Sequence, residues 1–185
     1  MKRHVAATLL GVLAFVIIDS HVDWVRHDQG ALLEVSGQPF DPKGWAAEHW
    51  RQLRNDCRAV RAEPTNSATA LQVLQAIQQH SPPDSMEAQL LQLQVQADWA
   101  IAEVAFKTLN PSLVVLRLMN GQWQIQDSAI WSGSAAPWQV ADFVRRYLRQ
   151  QAPDLPQPLL NCVPIQEDRY NLAGGLAGKR QGSWL

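Results

Sequence analysis

Two β-rich segments lie on either side of an Asn-Gly pair at positions 120–121, and the first of them, residues 113–119, is apolar except for Arg117. In the second of them, Trp123 and Ile125 alternate with glutamines, as in a strand with one buried and one wet face. Asn-Gly favours a two-residue hairpin turn, because both central residues of that turn need positive φ. The pattern therefore predicts a β-hairpin.

A second alternating segment, residues 91–106, precedes the hairpin, and its apolar positions change parity close to Asp98. Such a change of face requires a turn or a bulge. We predict a tight turn around Asp98, with strands over about 88–96 and 99–107; one long bulged strand is the alternative. Together these segments predict a curved antiparallel sheet of three to four strands.

Three segments have the three- and four-residue spacing of amphipathic helices. The first begins at Asp41-Pro42, a favourable cap and first-turn pair, and the others cover residues 67–79 and 137–151. The apolar stripe of the first helix contains Ala46, His49, Trp50, Leu53, Cys57 and Val60. The order helix, helix, sheet, helix predicts an α+β fold, with N-terminal helices packed on the sheet and a C-terminal amphipathic helix.

The N-terminus has the pattern of an export signal. Two basic residues precede an apolar run over 5–18, which is short for a span of roughly 20 residues but is not followed by the small-residue cleavage pattern of a signal peptide. We predict an uncleaved single-pass anchor in the inner membrane of a Gram-negative bacterium, with the remainder in the periplasm. A cleaved signal peptide, which leaves a soluble periplasmic protein, is the alternative.

The predicted organisation has four parts. They are a signal anchor or signal peptide with its juxtamembrane segment (1–25), a connector (26–40), an α+β domain (41–165) and a flexible tail (166–185). Val22, Trp24 and Val25 are apolar enough to extend the anchor into the membrane interface. The tail is assigned from its glycine-rich composition.

Charge and cysteine content narrow the functional classes. The formal net charge of −1 argues against nucleic-acid binding, which needs a basic face. Cys57 and Cys162 form one disulfide if the domain is exported to an oxidising compartment. Two separate buried thiols are the alternative.

The sheet segment resembles a pattern found in the NTF2-like (cystatin-like) superfamily. The matching positions are Asp98-Trp99-Ala100, residues 114–118, Asn120-Gly121, Trp123, Ile125 and Asp127. The resemblance covers residues 40–150 and implies helices ahead of a curved sheet that wraps them into a cone. The superfamily includes isomerases, dehydratases, ligand carriers and secretion-assembly proteins, so it implies no single function. One membrane span followed by an outer NTF2-like domain is similar to the layout of type IV secretion assembly factors.

Chemical motifs are sparse. The five histidines have no metal-ligand spacing, which predicts no metal site and no cofactor, and no set of catalytic residues is evident. NTF2-like isomerases and dehydratases use an acid or a base in an apolar cavity, and the residues that this resemblance brings forward are Asp98, Glu103, Asp127 and His49. For the two aspartates and the histidine, roles in turns, strand ends or the core are the simpler interpretation.

Eight tryptophans are unusually many for this length and indicate a broad core, a lined pocket or an interface. The ligand-pocket candidates are His49, Trp50, Trp99, Trp123 and Trp131, whose alternative role is to fill the core. The partner-contact candidates are Trp45, Trp138, Arg145 and Arg149. For the arginines, a solvated helix face is the alternative.

These observations favour a membrane-anchored, non-catalytic periplasmic domain that binds an envelope or secretion-system protein and not nucleic acid. One alternative is a carrier, or an isomerase- or dehydratase-like enzyme, for a small apolar ligand in a tryptophan-lined cone. Another alternative is an immunity-type inhibitor of a toxin. A homo-oligomer is compatible with each of these functions.

Overall fold

The computed structural model describes residues 22–27, 30–36, 38–40, 42–107, 109–133, 140–165 and 170. Within them the chain forms a three-stranded and a five-stranded antiparallel sheet, accompanied by helices. The α+β class predicted from the sequence is confirmed. No helix among these residues is long and apolar enough to span a membrane, and the apolar run over 5–18 lies outside them.

The smaller sheet consists of β1 (Val22–His27), β2 (Gly30–Val35) and β3 (Gln38–Phe40), paired in that order. Val22, Trp24 and Val25, which the sequence offered as an extension of the anchor into the membrane interface, belong to β1, and Trp24 is 67% exposed; the extension itself stays a prediction. The connection at 28–29 contains no Asn-Gly-type turn signal. For that reason the sequence did not predict this hairpin.

The larger sheet is an antiparallel meander of five strands in sequential order. These strands are β4 (Arg61–Glu63), β5 (Gln89–Gln96), β6 (Trp99–Ala105), β7 (Ser112–Met119) and β8 (Gln122–Ser132). The prediction of three to four strands is therefore wrong, because it omitted the edge strand β4. Three residues are too few to show an alternating pattern, and β4 is defined only by its pairing with β5.

Both predicted turns are present. Ala97 and Asp98 separate β5 from β6, with φ of 53° at Ala97, so the alternative of one long bulged strand is wrong. Asn120 and Gly121 have φ of 54° and 79°, as the hairpin turn between β7 and β8 requires. Register shifts in the β5–β6 and β7–β8 ladders bend these strands.

Each of the three predicted helical segments contains a helix, and a fourth helix follows. The helices are α1 (Pro42–Arg54), α2 (Ala68–His80), α3 (Val140–Gln151) and α4 (Gln157–Cys162), with a 3-10 helix over Asp84–Glu87. α2 begins after Ser67, whose hydroxyl accepts a hydrogen bond from the Ala70 N–H at 3.1 Å. This bond satisfies one of the amide groups left free at a helix start.

The larger sheet is covered on both faces. α2 packs on one face with its apolar stripe, against a buried cluster that includes Trp123. α3 and α4 cover the other face, over a cluster that includes Trp99 and Trp131. Residues 99–104 of β6 are all buried, since successive side chains point into one cluster and then the other. The cone that the resemblance implies stays a prediction.

Tyr170 belongs to the core of the face covered by α3 and α4. Its side chain is fully buried, and its ring centroid lies 4.9 Å from that of Trp131. The flexible tail predicted for 166–185 is therefore wrong at this position, and the other residues of that range lie outside the described part of the chain. A single aromatic residue beyond a proline-rich stretch shows no periodicity, so its burial could not be predicted.

Candidate functional site

α1 turns its apolar side outward. Trp45, Trp50 and Leu53 are 55%, 63% and 81% exposed, and Ala46 and His49, which lie between them, are exposed as well. We call these five residues the outer face of α1. The expectation that the apolar stripe packs on the sheet is wrong for Ala46, His49, Trp50 and Leu53, whereas Trp45 was not part of that stripe and is exposed, as expected of a contact residue.

The inward side of α1 is polar. It consists of Gly44, Glu48 and Arg51, followed by Asn55 just after the helix. Glu48 forms a two-point ion pair with Arg145 of α3, with N–O distances of 2.5 and 2.7 Å. Arg51 of α1 pairs with Asp142 of α3. Ion pairs therefore attach α1 to the rest of the fold, whereas an amphipathic helix is usually attached through its apolar stripe.

Arg145 is the centre of this contact. Its side chain is 3% exposed, and in addition to Glu48 it donates hydrogen bonds to the carbonyl oxygens of Leu160 at 3.1 Å and Val163 at 2.9 Å. A buried guanidinium needs such partners, because an unpaired buried charge is strongly destabilising. The prediction of Arg145 as a surface contact is therefore wrong, and the residue instead joins α1, α3 and the end of α4.

A disulfide between Cys57 and Cys162 connects the chain just after α1 to the last residue of α4. The predicted disulfide is confirmed, and the alternative of two free thiols is wrong. Beside it, the Asn161 side chain donates a 3.0 Å hydrogen bond to the Asn55 side chain. The link closes a long loop, across 105 residues of sequence, and such a link restricts the unfolded chain strongly. α1 is thus held with its apolar side facing solvent.

The five ligand-pocket candidates do not come together. His49 and Trp50 lie on the outer face of α1. Trp99 and Trp131 lie in the cluster beneath α3 and α4, whereas Trp123 lies in the cluster beneath α2. The three buried tryptophans are at most 9% exposed, which agrees with the alternative in which they fill the core.

Two of the four partner-contact candidates are at the surface. Trp45 is part of the outer face of α1, with its ring centroid 4.1 Å from that of His49. Arg149 is exposed on α3. Trp138 lies outside the described residues, and Arg145 is buried.

Two of the acid and base candidates contact basic side chains at the surface. Asp98 accepts a 3.3 Å hydrogen bond from Arg117, which lies across the β6–β7 ladder. Asp127 on β8 is exposed and lies 3.8 Å from the ring of His80, at the end of α2. These pairs connect neighbouring elements. Asp127 lines the groove between α2 and β8, and Asp98 does not.

Glu103 is the buried member of the candidate set. Its side chain is fully buried and accepts hydrogen bonds from Tyr170 at 2.7 Å and from Gln92 at 2.6 Å. Gln92 also donates to the carbonyl oxygen of Pro164. These contacts tie β5 and β6 to the C-terminal part of the chain, as a structural carboxylate does.

A groove of about 440 Å³ lies between α2 and β8. Its lining includes Gln72, Gln75, Gln79, Gln122, Gln124, Trp123 and the His80–Asp127 pair. The volume is within the range of small-ligand sites. Side-chain amides dominate the walls, however, which suits a polar ligand better than the small apolar ligand expected from the sequence.

Comparison with known proteins and the search for metal sites were both negative. No family model, curated protein or solved structure matches this chain. Within the described part of the chain, no group of three or more His, Cys, Asp or Glu side chains is arranged to hold a metal ion.

The polar residues that hold α1 were not predicted from the sequence. Glu48, Arg51 and Asn55 follow the same spacing of three and four as the apolar stripe, on the opposite side of the helix. The sequence therefore contains a polar stripe as well as an apolar one. A pattern with two stripes does not show which stripe faces inward, because that depends on residues 90 or more positions away, such as Asp142.

Proposed function

We propose that this protein is a membrane-anchored, non-catalytic periplasmic domain that binds another protein of the cell envelope or of a secretion assembly. The observation that carries the proposal is the outer face of α1, a group of exposed apolar side chains on a helix held firmly from behind. Exposed apolar patches are typical of interaction sites. Tryptophan is enriched among the residues that contribute most to binding energy.

The spacing on the outer face supports a particular mode of contact. Ala46, His49, Trp50 and Leu53 stand at the i, i+3, i+4 and i+7 positions of one helix. A helix that binds in an apolar groove of its partner presents its anchoring side chains at these positions. Because α1 is already folded and fixed, binding would require little additional ordering, which favours affinity.

Two further features support a periplasmic location with a membrane anchor. Disulfides persist in oxidising compartments such as the periplasm, and the Cys57–Cys162 bond is compatible with export. The apolar run over 5–18, preceded by basic residues, supports an anchor with its basic end in the cytoplasm. The NTF2-like relationship is part of the proposal, and the position of α1 and α2 ahead of β5 to β8 along the chain is compatible with it.

Photo-crosslinking in intact cells of the source bacterium tests the proposed contact. A photoreactive residue replaces Leu53 and, in a matched control, Leu71 of α2, which is 57% exposed. We expect position 53 to form an adduct with one envelope protein that position 71 does not form, and Trp50→Ala to weaken it. Equal adducts at both positions, or none at position 53, would contradict the proposal. An adduct with a second copy of the chain would indicate a homo-oligomer instead.

A ligand carrier is the second candidate function, favoured by the groove between α2 and β8. Its amide-rich lining supports a polar ligand, and the His80–Asp127 pair at one end offers both a donor and an acceptor. No observation among the described residues favours the immunity-type inhibitor over the general binding function. A toxin as the crosslinked partner at position 53 would do so.

A further inference from the structure

The polar side of α1 lines a cleft that the proposed protein contact does not use. The cleft has a volume of about 340 Å³ and lies between α1 and α3. Its walls carry Arg51, Asp142, Arg145, Arg146 and Arg149. Four arginines around one small concavity are unusual, because like charges at close range repel unless carboxylates or bound anions compensate them.

The carboxylates of this cluster compensate only part of that charge. Glu48 is engaged by both terminal nitrogens of Arg145, and Asp142 pairs with Arg51, which also lies 3.5 Å from Glu48. Two carboxylates therefore face four guanidinium groups, which leaves two positive charges in the cluster without an acidic partner.

The two uncompensated arginines belong to the open side of the cleft. Arg146 and Arg149 stand three positions apart on α3 and are exposed. Arg146 donates a 3.4 Å hydrogen bond to the backbone carbonyl of Asp142. Over the described ranges, neither arginine lies within ion-pair distance of a carboxylate.

We propose that this cleft binds a phosphate-class anion through Arg146, Arg149 and Nη1 of Arg51, whose Nε and Nη2 contact Glu48 and Asp142. A guanidinium presents a planar fork of N–H donors that matches phosphate oxygens, and a doubly charged anion would balance the two uncompensated charges. Arg145 is a positioning residue, because its nitrogens are occupied by Glu48 and two backbone carbonyls. Asp142 competes with the anion for Arg51.

The proposed anion site is independent of the protein contact on the outer face. The outer face and the cleft lie on opposite sides of α1, so a change at Leu53 should leave anion binding unchanged. The ligand chemistry has two sources in an envelope, a soluble phosphate compound and the headgroup of an anionic phospholipid. The experiment must distinguish them.

Titration of the oxidised full chain with inorganic phosphate and with pyrophosphate tests the site. Binding is followed by calorimetry and by the NMR signals of the arginine side-chain N–H groups, at an ionic strength held constant with chloride. We expect Arg146→Gln and Arg149→Gln each to weaken binding about tenfold, since one charge-assisted hydrogen bond contributes roughly that factor. Arg58→Gln is the matched control, because the Arg58 side chain is 95% exposed and lies outside the cleft.

Asp142→Asn tests the same site, with an expected increase in anion affinity instead of a decrease. Removal of the competing carboxylate frees Arg51, so pyrophosphate should bind several-fold more tightly. The Asp142 side chain is 61% exposed, and the substitution should therefore leave the protein folded. If Asp142→Asn weakens binding, or if Arg58→Gln costs as much affinity as Arg149→Gln, the proposed site is wrong and only general surface charge is acting.

Vesicles separate the two sources of the anion. The full chain, whose proposed anchor inserts into either lipid, is reconstituted in vesicles of phosphatidylcholine with and without phosphatidylglycerol, and binding at the cleft is measured for the same variants as protection of the arginine side chains from an arginine-modifying reagent. Binding of free pyrophosphate with the variant pattern above supports a soluble ligand. Protection only in the vesicles with phosphatidylglycerol, with the same pattern, supports a lipid headgroup. If neither probe shows that pattern, the proposal fails, and the contact on the outer face of α1 is not affected by that result.

Discussion

Helices α1 and α2 have the same length of 13 residues, and both show an apolar stripe in the sequence. α2 buries its stripe, with Ala70, Val73 and Ile77 packed on the larger sheet. α1 does the opposite, because it turns Glu48 and Arg51 inward and exposes its tryptophans. The same periodicity therefore leads to opposite orientations in one molecule.

The difference shows what kind of force orients each helix. For α2, burial of apolar side chains is sufficient, since a fully buried aliphatic side chain contributes about 1.5–3 kcal/mol. In α1, Trp50 and Leu53 stay exposed, so most of this burial free energy is absent, and the Glu48–Arg145 ion pair and the disulfide hold the helix instead. A helix that keeps an apolar face in water against this tendency is typical of a binding surface, which is why α1 and not α2 carries the proposed function.

Removal of the disulfide should have the largest effect and should act mainly on α1. For Cys57→Ser/Cys162→Ser, we expect a loss of about 4–5 kcal/mol in the free energy of unfolding, because a cross-link that closes a loop of roughly 100 residues restricts the unfolded chain by that amount. Urea denaturation measures the loss. Hydrogen exchange in the variant should show α1 amides opening more readily than α2 amides; equal loss of protection in both helices would contradict the comparison.

Arg145→Met should have the second largest effect, about 4 kcal/mol, because it leaves the Glu48 carboxylate largely buried without its partner. Arg146→Met on the exposed side of α3 is the control and should change stability by less than about 0.5 kcal/mol. The double variant Glu48→Leu/Arg145→Met should recover most of the loss, since apolar residues often replace a buried ion pair without penalty. Simple additivity of the two single changes would show that the ion pair does not orient α1.

Truncation of one apolar side chain in each helix compares α1 and α2 most directly, with a smaller effect on the free energy of unfolding. Ile77→Ala in α2 should lose about 3 kcal/mol, because it leaves a cavity at a site that is 3% exposed. Leu53→Ala in α1 should change stability by no more than about 0.5 kcal/mol, because Leu53 is 81% exposed. Both are measured by urea denaturation. A large loss for Leu53→Ala would mean that the outer face is covered within the folded chain, and the proposed function would lose its basis.

Local rules predicted the central part of the fold well. The turns at Ala97 and at Asn120-Gly121, the four strands they join and the start of α2 after Ser67 all follow from neighbouring residues. Strands β1 to β4 were missed because they are short or lack a turn signal. The position of Tyr170 was missed for a related reason, since its burial depends on contacts with Trp131 and Glu103 that lie far away in the sequence.

The candidate site was predictable only in part. The sequence identified Trp45 as a surface residue and Arg149 as a candidate contact, and it paired Cys57 with Cys162 as one of two alternatives. It assigned His49 and Trp50 to an interior pocket and Arg145 to the surface. Each of these errors came from assuming that an apolar stripe faces inward and that a charged helical residue faces outward, which are average tendencies.

The sequence by itself determined strands β5 to β8 and the turns that join them in hairpins, the positions of helices α1 to α3 and the class of fold, because these depend on contacts within a few residues. Only the tertiary structure decided which side of α1 faces water. That choice depends on Arg145, Asp142 and Cys162, which are close to α1 in space and about 90 to 105 residues away along the chain. Periodicity describes a helix with two distinct sides, and the partner supplied by the rest of the fold selects between them.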